Sequence, residues 1–403
     1  MKKISFILIL IFISLLLSCT ANISGEIDYI VGYYAKNSAE TFWDISALCY
    51  AGEDMTKYNI EPFLTTEVDE SDYSALSGKV IGLKMLESTG YDISQYNSDH
   101  YIEVLQKLTE DDDANGYSLP ILQRLYGIYA LKLAGTSYSE ENIHKFAEHV
   151  LTYQQEDGGF STFSDIGDVD TTSFVIPLLI YLRDDNDFAS AVSKASIYLR
   201  NTKNSDDTYS SFGASNSNTT ASALSALMAL GFTEKDADIG DISLALATFR
   251  LPDGSYSHQM YGNTNKLSCA QSLIAYCDFA NKDSLWLSVL RGEFTPKNVT
   301  LNIVGLDGDI KETHNIAISK NETAFDIFAK VCKKENIIYT IRGTGAGVYI
   351  VSVNNVGEFE HGPESGWIYT VNGESISVGC NSYVPANNDV IEFKYITEYE
   401  DNI

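Results

Sequence analysis

The chain has 403 residues, 44% of them hydrophobic, with 27 basic against 55 acidic side chains and a formal charge of −28. So large an acidic excess repels nucleic acid phosphates and anionic lipid, and argues against partners of either kind. After Cys19 the cysteines are Cys49, Cys269, Cys277, Cys332 and Cys380, an odd and scattered set without a CxxC pair. That pattern favours core thiols over zinc or a disulfide framework.

Residues 1–19 form the first predicted segment. Lys2 and Lys3 precede the apolar run ISFILILIFISLLL, which is short for a membrane span and is flanked as a signal peptide is. Leu16-Leu17-Ser18-Cys19 resembles a bacterial lipobox, which implies cleavage before Cys19 and lipidation of its thiol; an ordinary secretory signal with an incidental cysteine is the alternative. The lipobox reading places the protein at the cell membrane or surface, held by a lipid anchor only.

From residue 25 to 292 the chain reads as repeated helical hairpins. Three copies align: DGGFS before DTTSFVIPLLIYL, DTYSS before NTTASALSALMALG, and DGSYS before KLSCAQSLIAYC. The helix starts Asp170, Asn218 and Lys266 stand 48 residues apart, and the aromatics Phe160, Tyr209 and Tyr256 recur at intervals of 49 and 47. Such helices are apolar nearly all round, as buried helices are, and their polar first residues suit N-caps. Weaker copies at FWDISALCYAG, KVIGLKMLESTG and YSLPILQRLYGIYALKLAG bring the inner helices to six, with more polar helices at 141–155 and 188–201 between them. Six such hairpins predict an α/α toroid whose inner-helix N-termini gather at one mouth.

The repeat stops near Thr295-Pro296. Residues 297–396 alternate as strands at VTLNIVG and GVYIVSVNNV around one helix, NETAFDIFAKVCKKENI, opened by Asn321 or Thr323. This second predicted domain is a small α+β, β-grasp-like module, with Asn372-Gly373 as a hairpin turn and 397–403 as an acidic tail.

QQEDGGFS and DVDTTS resemble the terpene cyclase and prenyltransferase superfamily of α/α barrels. Asp168-Val169-Asp170-Thr171 is a partial match to the acid cluster of its protonating cyclases, but the fuller cluster is missing. The inner helices also offer mostly Ala, Leu and Ser instead of the aromatic wall a carbocation needs. Read in order, NETAFDIFAKV, GVYIVSV, ESGWIYTVNG and NSYVPANNDVIEFKY resemble the C-terminal domain of the transcobalamin and intrinsic factor family, whose N-terminal domain is an α6/α6 barrel. That resemblance implies cobalamin or another corrinoid as ligand, gripped between the two domains. A corrinoid is a broad disc with apolar faces and a rim of amides, so it needs aromatic and aliphatic walls with neutral hydrogen-bonding groups.

The candidate binding groups on the barrel are Tyr117, Gln123, Asp170, Thr171, Asn218 and Gln271, and on the second domain Tyr349, Val351, Ser352, Trp367 and Tyr369. Asp170 and Asn218 would also serve as plain helix caps, and Trp367 as a core side chain. Several animal members place a cobalt-coordinating histidine just before the stretch that is VDTT here; Ile166, Gly167 and Asp168 occupy those places, leaving His258 as a substitute candidate. No catalytic residue and no protein-bound metal is expected. The expected role is capture of a corrinoid by a surface lipoprotein and its delivery to a membrane transporter. The rival readings are a barrel enzyme acting on an isoprenoid or polysaccharide, and an adhesion module.

Overall fold

A computed structural model describes residues 23–233, 236, 239–294, 297–306, 308–318 and 322–398. The signal segment with Cys19, the Thr295-Pro296 boundary, Asn321 and the end of the acidic tail lie outside the described residues. The chain divides into two compact units, Met1–Leu86 with Ile93–Glu293, and Glu87–Asp92 with Phe294–Ile403.

The first unit runs α1 (Ile23–Tyr34), α2 (Phe42–Tyr50), α3 (Glu61–Thr65), α4 (Tyr73–Ser88), α5 (Ser98–Ala114), α6 (Ile121–Leu133) and α7 (Glu140–Leu151). It continues with α8 (Val169–Tyr181), α9 (Asn186–Thr202), the hairpin β1 (Ser210–Ser211) and β2 (Ala214–Ser215), α10 (Ser217–Ala229), α11 (Ile239–Ala247), α12 (Lys266–Asn281) and α13 (Leu285–Leu290). The even-numbered helices from α2 to α12 form the inner wall. In α12 every residue from Ser268 to Asp278 is buried, as expected for a helix packed on both sides. The outer helices are amphipathic; α7 buries only Ile143, Phe146, Ala147 and Val150, one stripe at helical spacing.

Neighbouring inner helices touch in the order α2, α12, α10, α8, α6. Glycines bring α4 in on both sides: a Cβ at Gly78 would collide with Phe42 of α2, and one at Gly127 of α6 with the Tyr73 hydroxyl of α4. The ring so closed is the α/α toroid that the repeats predict. One unpredicted anchor stiffens the third repeat. Arg124, fully buried, meets Asp112 at 3.3 Å and Asp113 at 2.6 Å, and donates to the Tyr138 hydroxyl at 2.5 Å.

The bore corrects one expectation, because it is aromatic. Trp286 of α13 stacks on Tyr129 at 4.8 Å and meets Trp43 and Tyr126 edge-on at 5.7 and 5.9 Å. Trp43 stands at the start of α2 and Trp286 lies beyond the last inner helix, while Tyr126 and Tyr129 come from the middle of α6. They fill the bore by packing on one another, and beside Trp43 and Trp286 a chamber of only ≈ 20 Å³ remains, lined also by Ser173, Phe174, Ser222, Gln271 and Ser284.

In the second unit a five-stranded sheet has the order β4 (Gly308–Ile318), β3 (Lys297–Gly305), β10 (Val390–Ile396), β8 (Gly366–Val371), β9 (Glu374–Ser375). The central β3 and β10 are parallel and the rest antiparallel, a β-grasp arrangement. A second sheet joins β5 (Tyr339–Arg342), β6 (Tyr349–Val353) and β7 (Val356–Gly357). Helix α14 (Ala324–Glu335) opens on a Thr323–Asp326 capping box and buries Ile327, Phe328 and Val331 in one core with Leu301, Ile391 and Phe393. Asn372 and Gly373 both have positive φ, as a two-residue hairpin turn requires. All five described cysteines are buried and unpaired.

Candidate functional site

Each of the three strong repeats is built by the same hydrogen bonds. Asp157, Asp206 and Asp253 fold their turns by accepting the backbone N–H two residues on. The buried aromatic that follows donates its backbone N–H to the fourth residue of the next inner helix: Phe160 to Thr172 at 2.8 Å, Tyr209 to Thr220 at 3.0 Å, and Tyr256 to Cys269 Sγ at 3.2 Å. These bonds fix where each loop enters its helix and so where the mouth residues stand.

The caps correct the sequence expectation. The N-caps of α8, α10 and α12 are Asp168, Asn216 and Asn265, each in extended conformation and each accepting from the backbone N–H three residues on. Asp170 and Asn218 are therefore not caps but the second helical residues, and their side chains are free to meet across the mouth. Thr219 Oγ1 of α10 donates to Asp170 Oδ2 at 3.0 Å, and Ser268 Oγ of α12 donates to Asn218 Oδ1 at 2.7 Å. In both bonds the third residue of one inner helix reaches the second residue of the preceding one.

Asn218 is the hub. Its Nδ2 donates to Gln271 Oε1 at 2.5 Å, and its Oδ1 lies 2.6 Å from His258 Nδ1. An amide oxygen only accepts, so Nδ1 of His258 donates this bond, the tautomer in which a neutral imidazole would carry its lone pair on Nε2. Gln271 is 8% exposed and lines the inner chamber, so this pair separates that chamber from the outer cavity. The outer cavity, ≈ 350 Å³, is lined by Asp170, Ser211, Phe212, Asn216, Asn218, Thr219, His258 and Gln259. Its only described carboxyl group is Asp170, which burial, helped by the nearby Asp168, pushes up to about 6.

The other barrel candidates stand apart from this cluster. Thr171 is buried and its hydroxyl donates to Asp168, so it completes a cap and is withdrawn from the mouth. Tyr117 follows Gly116 with positive φ, and its ring stacks on His149 and packs on Phe146 of the outer helix α7. Gln123 is half-buried one turn before Tyr126, on the side of α6 that faces the bore.

In the sheet unit, Trp367 is 2% exposed, donates Nε1–H to the Val356 carbonyl at 2.9 Å and packs edge-on against Tyr395. It is a core side chain, which corrects the ligand-facing expectation. Tyr369 stacks on Phe393 and donates its hydroxyl to the Val378 carbonyl. Ser352 is bonded to Thr340 at 2.7 Å, Val351 is half-buried, and the Tyr349 ring carries the Arg342 guanidinium at 5.2 Å. Sequence reasoning missed Phe212, Asn216, Thr219, Gln259 and Ser268; an alignment of the repeats on Asp168, Asn216 and Asn265 would have brought up Asn216, Thr219 and Ser268.

Among the described residues no group of three or more His, Cys, Asp or Glu could hold a metal ion, and no helix is long and apolar enough to cross a membrane.

Residues 321–397 match a family described as a domain of unknown function, DUF4430. No curated protein matches the chain. Among solved structures, haptocorrin in complex with Cbi is similar over 94% of this chain and 97% of its own, at 18% identity and a TM-score of 0.39. An unsaturated glucuronyl hydrolase from Streptococcus agalactiae is similar over 66% of this chain and 93% of its own, at 13% identity and a TM-score of 0.49. The polysaccharide lyase BACCELL_00875 covers 64% of this chain and 96% of its own, at 12% identity and a TM-score of 0.45.

Proposed function

We propose that the chain binds a corrinoid, without transforming it, at the mouth of the helical unit. The observation that carries this reading is the outer cavity, whose lining of Asn216, Asn218, Gln259, Thr219 and Ser211 consists of neutral hydrogen-bonding groups. Such groups suit the amide rim of a corrinoid, and the free Nε2 of His258 supplies a donor for its cobalt. Mature protein mixed with hydroxocobalamin and passed through gel filtration is expected to elute as a coloured complex; colourless protein overturns the reading.

The rival enzyme reading draws on Asp170, a carboxylic acid held near neutral pH in a cavity. Against it, Asp170 is the one carboxyl among the described residues lining the cavity, Asp168 is committed to capping α8, and glycoside hydrolysis ordinarily needs two. Asp170→Asn separates the two readings. A binder keeps its corrinoid affinity within a few-fold, because shape and the acceptor for Thr219 remain, whereas an acid catalyst loses nearly all activity.

The same variant has a pH signature. Because the folded-state value of about 6 lies above the ordinary 3.8, the folded protein holds this proton more tightly than the unfolded chain. Its stabilising contribution is full below about pH 4 and is lost as pH rises through 6. Denaturant unfolding of the wild type should therefore show stability falling over that window relative to Asp170→Asn; parallel pH profiles would contradict the burial of this acid.

We propose further that the protein is exported and anchored through Cys19, capturing the corrinoid at the cell surface for a membrane transporter. Support comes from Leu16-Leu17-Ser18-Cys19 after the apolar run. Each acyl CH₂ buried in the bilayer contributes about 0.8 kcal/mol, so several chains hold stably. Cys19→Ala is expected to move the protein from the membrane fraction to the soluble fraction, and unchanged fractionation counts against the anchor.

A further inference from the structure

Beyond the buried aromatics, a second aromatic series runs through the same three repeats. Phe163, Phe212 and Tyr261 lie 49 residues apart in succession, one in each loop that leads to α8, α10 and α12. All three are exposed, at 60%, 91% and 98%. Phe163 and Phe212 stack on each other at 5.8 Å, and Phe212 lines the outer cavity. Tyr261 tips the loop that carries His258.

Neither fold nor solubility accounts for them. Phe212 and Gly213 are the two central residues of the β1–β2 hairpin, and both have positive φ, the type I′ geometry. That turn favours Asn-Gly, and a phenylalanine in the left-handed region is strained. Tyr261 shares the positive φ of Phe212, though not its hairpin. All three give water a bare aromatic face at one position in successive repeats, and Phe212 and Tyr261 do so at a cost in conformational energy; both features are explained by what the rings touch when a ligand is present.

We infer that Phe163, Phe212 and Tyr261 form an aromatic rim that stacks on the face or edge of a planar, largely uncharged ring system seated over the outer cavity. The inference rests on the corrinoid reading and deepens it: the neutral groups below take the hydrogen-bonding arms, while the rim takes the apolar disc.

The test is Phe212→Asn in the full mature chain, with Tyr261→Asn added in a second variant. The substitution writes the preferred Asn-Gly turn, so the melting temperature is expected to stay level or rise. Affinity for hydroxocobalamin, titrated by absorbance, should fall by roughly tenfold for the single variant and by more for the double. Hydroxocobalamin binding unchanged in the double variant overturns the rim and leaves the corrinoid reading standing. A clear drop in melting temperature would make Phe212 a structural residue and overturn the rim as well. No binding by the wild type overturns the corrinoid reading, and the rim with it.

Discussion

Trp367→Ala is expected to unfold the sheet unit. The indole is buried among Val353, Cys380 and Tyr395, and its N–H satisfies the Val356 carbonyl. Truncation removes the largest side chain of that core and takes the indole donor from the part-buried Val356 carbonyl, a combined cost of about 3 to 5 kcal/mol. A domain of this size has only about 5 to 15 kcal/mol of net stability. Limited proteolysis should then cut the variant within 297–398 while the helical unit survives. Trp367→Phe, which keeps most of the volume, should remain resistant. A well-folded Trp367→Ala protein with only its ligand affinity reduced would restore the residue to the binding surface.

Asn218→Leu carries the largest expected loss of binding. Asn218 accepts from Ser268 and His258 and donates to Gln271, so one substitution unties three groups at the mouth. His258 loses the acceptor that fixes its tautomer, and Gln271 keeps a buried amide oxygen without a donor. Affinity for hydroxocobalamin should fall about 30-fold or more, equivalent to roughly 2 kcal/mol. Asn218→Asp retains the acceptor but loses the donor to Gln271 and adds charge, and should fall between the two. Wild-type affinity in Asn218→Leu would mean that the ligand binds elsewhere.

The toroid was legible because its inner helices bury every face, and composition reports that directly. The small domain was legible from alternation and from Asn372-Gly373. The caps were harder. Asp168-Val169-Asp170 and Asn216-Ser217-Asn218 each offer two good cap residues two positions apart, and only the extended backbone at the first of each pair decides between them. That choice governs function, since the residue that does not cap is the one left facing the mouth. Trp367 was ambiguous for a related reason. Alternation along GWIYTV tells which residues share a face but not which face α14 covers. Tyr117 turned outward because the positive φ at Gly116 and Tyr117 redirects the chain, and spacing cannot report that. Of the bore aromatics, Trp43 and Trp286 escaped notice because they come from a helix end and from α13, outside the repeat. Tyr126 and Tyr129 lie within the third repeat, but spacing alone does not say that they meet those two across the bore.

The bond from each buried aromatic N–H to the fourth residue of the next helix also has an evolutionary consequence. With Phe160, Tyr209 and Tyr256 pinned at the base of their loops, residues beyond the pin can change in kind without altering the helix they lead into. Selection can therefore re-cut the tips one repeat at a time, trading one guest for another, while the barrel that presents them is inherited unchanged. On this scaffold, a new specificity is a matter of three short loops.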